Sequence, residues 1–273
     1  MQINSKGRLI DLTHPKIMGI LNTTPDSFFA GSRSGALDLA LKKIEKMLED
    51  GADFIDIGGM STRPGSAEIS ETEELERVLP VVESAVKKFP EVLISIDTYR
   101  AKVAKETVEA GAAIINDISA GNMDENLLKT VAELQVPYIL MHMQGTPKNM
   151  QENPTYKNVT LEVNQFLSEK IRQLKELGIN DIILDPGFGF GKTVEHNYEL
   201  FRNLEVIGFG EFPLLVGISR KSMITRFLNV SADDALNGTT VLNTIALQKG
   251  AKFLRVHDVK EAKEALEIWM KLQ

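Results

Sequence analysis

The sequence has 273 residues, a length that suits one large domain, and we expect a single domain over residues 1–273. Its 31 lysine and arginine residues stand against 38 aspartate and glutamate residues, giving a formal net charge of −7 that argues against a nucleic-acid-binding surface. The sequence contains no cysteine, so disulfides and thiolate metal sites are excluded, and no apolar run approaches the roughly 20 residues that span a bilayer. These features predict a cytoplasmic protein with neither membrane nor nucleic acid as a partner.

Eight short runs of apolar residues, rich in leucine and β-branched side chains, are typical of buried parallel strands. They lie at 16–21, 53–57, 92–96, 113–115, 138–141, 182–184, 214–218 and 253–254. Between them apolar residues recur at helical spacing, as from Leu37 to the stop at Gly51, and a last helix is predicted from about 260 to 272. Strand and helix alternating eight times predict an α/β fold, the (β/α)8 TIM barrel.

Nearly every predicted strand ends in a side chain that can take part in chemistry. Asp97, Asn116 and Asp185 end three of the strands, and active sites of β/α barrels are built at those carboxyl ends. Two carboxylates and an amide in one layer would suit a flat ligand edge that presents several N–H groups. Helix capping is the alternative role for each residue taken alone.

Four long segments follow predicted strands, and long loops in a compact domain are usually functional. They cover 22–35, 58–70, 142–158 and 185–197. The last holds a glycine-rich run that looks like a nucleotide loop, but Pro186 and Lys192 stand where a P-loop and a dinucleotide fingerprint need glycine. We therefore predict a flexible loop that brings Phe188 or Phe190 over a ligand.

Cationic residues gather at the ends of the last two strands. Lys221 could form a Schiff base or donate to a ligand carbonyl or ring nitrogen, although a loop lysine is usually solvated. Arg255 and His257 fall on one side of the eighth strand, just before the last helix, where β/α barrels often bind phosphate. For His257 the alternative is an ordinary polar residue of the first helical turn. With Arg63, these residues could make one cleft positive in an acidic protein.

Motifs spread over almost the whole chain resemble, in the same order, those of the dihydropteroate synthases. The first two are GILNTTPDSF at 19–28 and GGMSTRPG at 58–65. The others are SIDT at 95–98, IND at 115–117, MHM at 141–143, DPGFGF at 185–190, SRKS at 219–222 and RVHD at 255–258.

The resemblance implies an enzyme that joins 4-aminobenzoate to 6-hydroxymethyl-7,8-dihydropterin diphosphate, releasing pyrophosphate and forming 7,8-dihydropteroate for folate synthesis. It also implies a homodimer assembled through the barrel helices. On the pterin it places Asp97, Asn116, Asp185, Lys221, the apolar Met141 and Phe190, and Arg255 stacked on the ring. At the diphosphate it places Asn22 as the ligand of Mg²⁺, with Arg63, Arg255 and His257. Around 4-aminobenzoate it places Thr62, Pro64, Lys221 and Ser222, and Gly217 joins the substrate-binding residues. The catalytic set implied in this way is Asn22, Arg63, Lys221, Arg255 and His257.

Three other functions fit parts of the same pattern. A pterin-dependent methyltransferase barrel would share the acidic pocket, but it would not need a diphosphate site at Asn22, Arg63 and His257. A class I aldolase would use Lys221 as its Schiff-base residue. A non-catalytic pterin-binding protein would share the pocket without turnover.

Overall fold

The structure, a computed structural model, describes residues 1–23, 33–60 and 68–273. Its strands in these ranges are β1 (Gln2–Ser5), β2 (Arg8–Asp11), β3 (Lys16–Asn22), β4 (Phe54–Gly58), β5 (Leu93–Asp97), β6 (Ile114–Asp117), β7 (Tyr138–Met141), β8 (Ile182–Asp185), β9 (Leu215–Val216) and β10 (Phe253–Val256). Its α-helices there are α1 (Arg33–Glu49), α2 (Glu71–Lys88), α3 (Ala101–Glu109), α4 (Leu127–Leu134), α5 (Val159–Glu176), α6 (Val194–Arg202), α7 (Ser222–Leu228), α8 (Leu236–Gln248) and α9 (Val259–Lys271).

The strands from β3 to β10 form one parallel sheet in the order β8-β7-β6-β5-β4-β3-β10-β9. A parallel bridge between Leu184 and Leu214 joins its two outer strands, so the sheet closes on itself. Helices follow the strands and cover the outside, as short right-handed crossovers require. The predicted (β/α)8 barrel is confirmed.

The predicted strands coincide with the observed ones to within a few residues, and β9 is the strand that is shortened most. A strand was predicted over 214–218, but β9 covers only Leu215–Val216, preceded by the bridge at Leu214. The backbone N–H of Lys221 already donates to the carbonyl of Ile218 at 3.1 Å, and Arg220 takes a φ of 57°. The chain therefore turns directly after Gly217, and this turn brings Lys221 back towards the barrel mouth.

The core has two layers because each strand of a β/α barrel is buried on both faces. The outer layer packs strand residues such as Ile55 and Leu140 against the helices. The inner layer fills the barrel with side chains that include Phe54 and Phe253, whose rings meet edge-to-face at 5.5 Å.

The antiparallel hairpin of β1 and β2 was not predicted, and it covers the amino-terminal end of the barrel. Ile3 and Ile10 are opposite each other in register and belong to the inner layer of the core. The Ser5 hydroxyl donates to the carbonyl of Ala113 at 2.7 Å, just before β6 begins. The opposite, carboxyl-terminal end of the barrel is the end that carries the polar side chains.

The helices begin and end where local chemistry dictates. The Ser70 side chain accepts from the backbone N–H of Glu73 at the start of α2, and Asn158 caps α5 in the same way at Leu161. Gly178 follows α5 with a φ of +84°, a conformation that a glycine adopts without strain. Among the described residues, no helix combines the length and the apolar character needed to cross a membrane.

Candidate active site

A line of residues in register crosses four neighbouring strands at the carboxyl end of the barrel, and three of the four are polar. Asn22 pairs in register with Gly58, Gly58 with Asp97, and Asp97 with Asn116. Asp185 ends β8 on the other side of the mouth, paired with Met141. The predicted convergence of Asp97, Asn116 and Asp185 at one end of the barrel is therefore confirmed.

Arg255 bridges two carboxylates across the centre of this layer. Its Nε donates to Asp56 Oδ2 at 2.6 Å, and its Nη2 donates to Asp97 Oδ2 at 2.7 Å. Asn116 Nδ2 donates to the same Asp56 oxygen at 3.0 Å. Asp56 is fully buried, and the sequence analysis missed it because it lies inside a strand and not at its end.

Burial and charge together set the ionisation of this group. Burial raises the pKa of Asp97 to about 7, while the Arg255 charge opposes the shift and Asp56 adds to it. For Arg255, burial works to lower the pKa, but Asp56 and Asp97 outweigh it and hold the pKa above its ordinary value. The guanidinium is thus compensated by two carboxylates. Its two ion pairs reduce what Arg255 contributes to a positive cleft, and the expected positive field of the whole cluster stays a prediction.

Asp185 and Lys221 lie on either side of the glycine-rich loop. Asp185 Oδ1 accepts from the Gly187 N–H at 2.7 Å, and burial raises the pKa of this carboxyl group. Lys221 donates to the carbonyl of Phe188 at 2.5 Å and lies 4.8 Å from the centre of the Phe190 ring. Burial lowers the pKa of Lys221 to about 8, with Asp185 acting in the opposite direction. Lys221 is therefore fixed at the barrel mouth by its contacts with Phe188 and Phe190, and it is not an ordinary solvated loop lysine.

An apolar wall stands beside the polar layer. Met141, Tyr99 and Ile118 are buried together there, and Phe190 packs against them. Of the two phenylalanines predicted to face a ligand, only Phe190 belongs to this wall. Phe188 is fully buried in the outer core, with its ring 5.7 Å from that of Phe201, so the prediction for Phe188 was wrong.

The residues expected near the diphosphate and 4-aminobenzoate lie around the ends of β9 and β10. The Nδ1 atom of His257 is 3.0 Å from the Ser219 hydroxyl, and Ser222 is the first residue of α7. Gly217 lies against Arg255, because a Cβ at this glycine would be 3.8 Å from the Cβ of Arg255. Thr62, Arg63 and Pro64 lie outside the described residues, so their predicted roles stay predictions.

Asn22 is the last residue of β3, and its amide oxygen lies close to Gly58 and Asp97. A Cβ added to Gly58 would meet the Asp97 Cβ at 3.4 Å and the Asn22 Oδ1 atom at 3.8 Å. Within the described part of the chain, no cluster of three or more histidine or acidic residues could hold a metal ion. A Mg²⁺ ion usually takes one or two protein oxygens and completes its shell with phosphate oxygens and water. The Asn22 amide oxygen, with the Asp97 carboxylate close by, is an oxygen donor set of that kind.

Taken together, these groups define an enzyme class. A flat ring with several N–H groups can meet carboxylate and amide oxygens, place its faces against Phe190 and Met141, and receive a hydrogen bond from Lys221. The fold and this site are those of a β/α-barrel enzyme that binds a pterin-like heterocycle.

Comparison with known proteins gives the same result. Residues 18–257 match the protein family described as "Pterin binding enzyme". The dihydropteroate synthase of Escherichia coli (strain K12) is 47% identical over 270 residues, covering 98% of this chain and 95% of its own. The Haemophilus influenzae enzyme of that name is 46% identical over 271 residues, covering 98% of both chains.

Solved structures agree closely. The Yersinia pestis dihydropteroate synthase, crystallised with a sulfonamide drug complex, superposes with a TM-score of 0.93 at 46% identity, covering 100% of this chain and 99% of that one. The Xanthomonas albilineans enzyme in complex with 7,8-dihydropteroate gives a TM-score of 0.90 at 36% identity, over 100% and 99% of the two chains. The chain belongs to the pterin-binding enzyme family and, within it, to the dihydropteroate synthases, which are transferases of folate biosynthesis.

Proposed function

We propose that this chain condenses 6-hydroxymethyl-7,8-dihydropterin diphosphate with 4-aminobenzoate, through the residues gathered at the barrel mouth. The observation that carries the proposal is the layer of Asp97, Asn116 and Asp185 with Arg255 at its centre, in which Asn116 and Asp185 are buried. Buried polar groups require partners, and the amino-pyrimidine edge of a pterin supplies N–H donors that match these acceptors.

On the pterin side, each residue has a separate task. Asp185 and Asn116 accept from the pterin edge, and Lys221 donates to a ring nitrogen or carbonyl. Phe190 and Met141 exclude water from the ring faces. Water exclusion strengthens the hydrogen bonds and protects a reactive methylene carbon from hydrolysis.

At the diphosphate, Asn22 would hold Mg²⁺ through its amide oxygen, and Arg63 and His257 would contact phosphate oxygens. The bound cation neutralises charge on the leaving group. His257 lies next to the start of α9, where free backbone N–H groups and the helix dipole favour an anion. Arg255 would stack on the pterin ring, and its two carboxylate partners fix the guanidinium in place.

The reaction that follows is a displacement at carbon. The bond between the methylene carbon and the diphosphate oxygen breaks, the electron pair leaves with pyrophosphate, and positive charge develops on the pterin methylene. Fixed charges at the site stabilise the departing group. The amine nitrogen of 4-aminobenzoate, held near Ser222 at the start of α7, then bonds to that carbon and loses a proton. No covalent bond to the protein is formed.

One experiment separates this reaction from the alternatives. The purified protein is incubated with both substrates and Mg²⁺, and 7,8-dihydropteroate is measured by chromatography. Product formation is expected; its absence overturns the proposal. Methyl transfer from a methylated pterin would identify the methyltransferase alternative, and borohydride trapping of a carbonyl substrate on Lys221 would identify the aldolase. Pterin binding without turnover would identify a non-catalytic binding protein.

The proposal includes a cytoplasmic homodimer, with one face of the helical layer as its contact surface. Phe227 and Leu228 of α7 are 67% and 48% exposed, and Val241 of α8 is 51% exposed. A partner's surface would remove this apolar area from water. Phe227→Glu should convert a dimer into a monomer in analytical ultracentrifugation, whereas Leu161→Glu, at an exposed position on α5, should not. A wild-type monomer at micromolar concentration would contradict the dimer. Cell fractionation tests the cytoplasmic location separately.

A further inference from the structure

The glycine-rich loop of residues 187–191 is held by an unbroken series of side-chain donors. Lys192 donates to the carbonyls of Gly187 and Phe190, and Lys221 donates to that of Phe188. The two remaining carbonyls, at 189 and 191, accept from Gln151 and Tyr156, each at 2.7 Å. Every carbonyl of this loop therefore has a partner, and one buried lysine supplies two of them.

Lys192 is only 2% exposed, and its ammonium group lies among backbone oxygens. Its Nζ atom is 2.9 Å from the carbonyl oxygen of Gly187, 3.1 Å from that of Phe190, 3.5 Å from that of His142 and 2.9 Å from His142 Nδ1. Gly187 lets the loop come close to the His142 backbone, because a Cβ there would lie 1.8 Å from the His142 carbonyl oxygen. A buried lysine is costly unless it is paired, so this one has a specific task.

The pair of Lys192 and His142 accommodates either charge state of the lysine. Burial and then the charge of Lys192 lower the pKa of His142 to about 2, so the imidazole is neutral. A protonated Lys192 donates to an unprotonated Nδ1; a neutral Lys192 accepts from Nδ1–H while still donating to Gly187 and Phe190. The loop is thus held in both states, and only the charge changes.

That charge matters to the pterin-binding groups. Burial lowers the pKa of Lys192 to about 7, Asp185 raises it and the nearby Lys221 lowers it further. Gly187 connects the two side chains, because Asp185 accepts from its N–H and Lys192 donates to its carbonyl. Burial raises the pKa of Asp185, and the charges of Lys221, Arg255 and Lys192 oppose this rise. His142, Asp185 and Lys221 are the titratable groups that interact with Lys192 from β7, β8 and the start of α7. Below neutral pH, Lys192 is charged and favours the ionised Asp185 that a pterin needs.

We propose that Lys192 is a positioning residue for the pterin side of the site. It fixes the glycine-rich loop, which carries the Phe190 ring and the Phe188 carbonyl that accepts from Lys221. Its positive charge also favours the ionised form of Asp185. This inference rests on the proposed function, since it concerns how that site is held and charged.

The test compares Lys192→Met, which removes the charge and the donors, with Tyr156→Phe, which removes one donor to the same loop and no charge. Binding of 6-hydroxymethyl-7,8-dihydropterin is measured by calorimetry at about pH 6 and about pH 8.5. Lys192→Met should weaken binding more at about pH 6, where Lys192 is charged in the wild type, than at about pH 8.5, where Lys192 is neutral. Tyr156→Phe should change affinity by the same factor at both pH values. Equal losses at both pH values for Lys192→Met overturn the charge role, and unchanged affinity overturns the whole inference.

A second route covers the case in which Lys192→Met does not fold. Since the sequence has no cysteine, Lys192→Cys creates a single reactive thiol. Alkylation with 2-bromoethylamine in denaturant, followed by refolding, restores an ammonium group, whereas iodoacetamide adds a neutral amide. Recovery of pterin binding with the first reagent alone supports the inference, and equal recovery with both overturns it. If the wild-type protein makes no dihydropteroate, the proposed function fails; if it does, only the role of Lys192 is in question.

Discussion

Asp185→Asn is the substitution that most sharply tests how the pterin is bound. In the structure, Asp185 Oδ1 accepts from the Gly187 N–H at 2.7 Å, and an asparagine oxygen can keep that bond. The amide NH₂ then replaces the other oxygen and faces the pterin N–H groups donor to donor. A buried unpaired donor costs about 1–3 kcal/mol, and pterin affinity should fall by about 5- to 150-fold.

Isothermal titration with 6-hydroxymethyl-7,8-dihydropterin measures this loss, and circular dichroism checks that the variant is folded. Asp181→Asn is the matched control, because Asp181 comes just before the other end of β8 and accepts from the Asn4 N–H at the covered end of the barrel. Its pterin affinity should equal that of the wild type. Wild-type affinity in Asp185→Asn would remove Asp185 from the pterin site and refute the reasoning.

Three further predictions follow from the same geometry. Lys221 is protonated below its pKa of about 8, so kcat/KM should fall as the pH rises through about 8. Lys221→Arg should move this fall in activity to higher pH. A wild-type pH profile without the fall would contradict the assignment of Lys221. Gly187→Ala should lower the free energy of unfolding, measured in urea, by more than about 4 kcal/mol, because the new Cβ would collide with the backbone at His142. Gly178→Ala, whose Cβ would have nothing within 4 Å, should cost only about 1–2 kcal/mol. Similar losses in the two variants would refute the close approach at Gly187. Arg63→Ala should lower kcat more than it weakens pterin binding, as expected of a contact that strengthens while charge builds on the leaving group, and normal turnover in this variant would exclude that role.

The sequence allows the barrel to be predicted because its signals are local. Each buried parallel strand is a continuous apolar run, and each is followed by amphipathic helical spacing. The hairpin of β1 and β2 was missed although it had a signal of its own: Lys6 and Gly7 separate two four-residue strands in which Ile3 and Ile10 face the core. A search for continuous apolar runs passes over these two strands, because most of their residues are exposed.

The site was predictable only in part. The polar residues at the strand ends, Asp97, Asn116 and Asp185, could be predicted as site residues from the sequence. Asp56 lies two residues before the end of β4, yet its carboxylate belongs to the same layer. A charged residue inside a fully buried run was the signal that could have identified it, since such residues need a partner. In the sequence alone, Lys192 shows only that a dinucleotide motif is absent. Its contact with His142 spans 50 positions of the chain, and no local pattern reports such a contact.

The central claim is that this chain joins 4-aminobenzoate to the pterin methylene carbon and releases one pyrophosphate for each 7,8-dihydropteroate formed. The most direct measurement follows pyrophosphate release by the purified protein with dihydropterin diphosphate and Mg²⁺, with and without 4-aminobenzoate. We predict release that depends on 4-aminobenzoate and matches the amount of 7,8-dihydropteroate formed. Release at the same rate without 4-aminobenzoate, or release without dihydropteroate, would contradict the account.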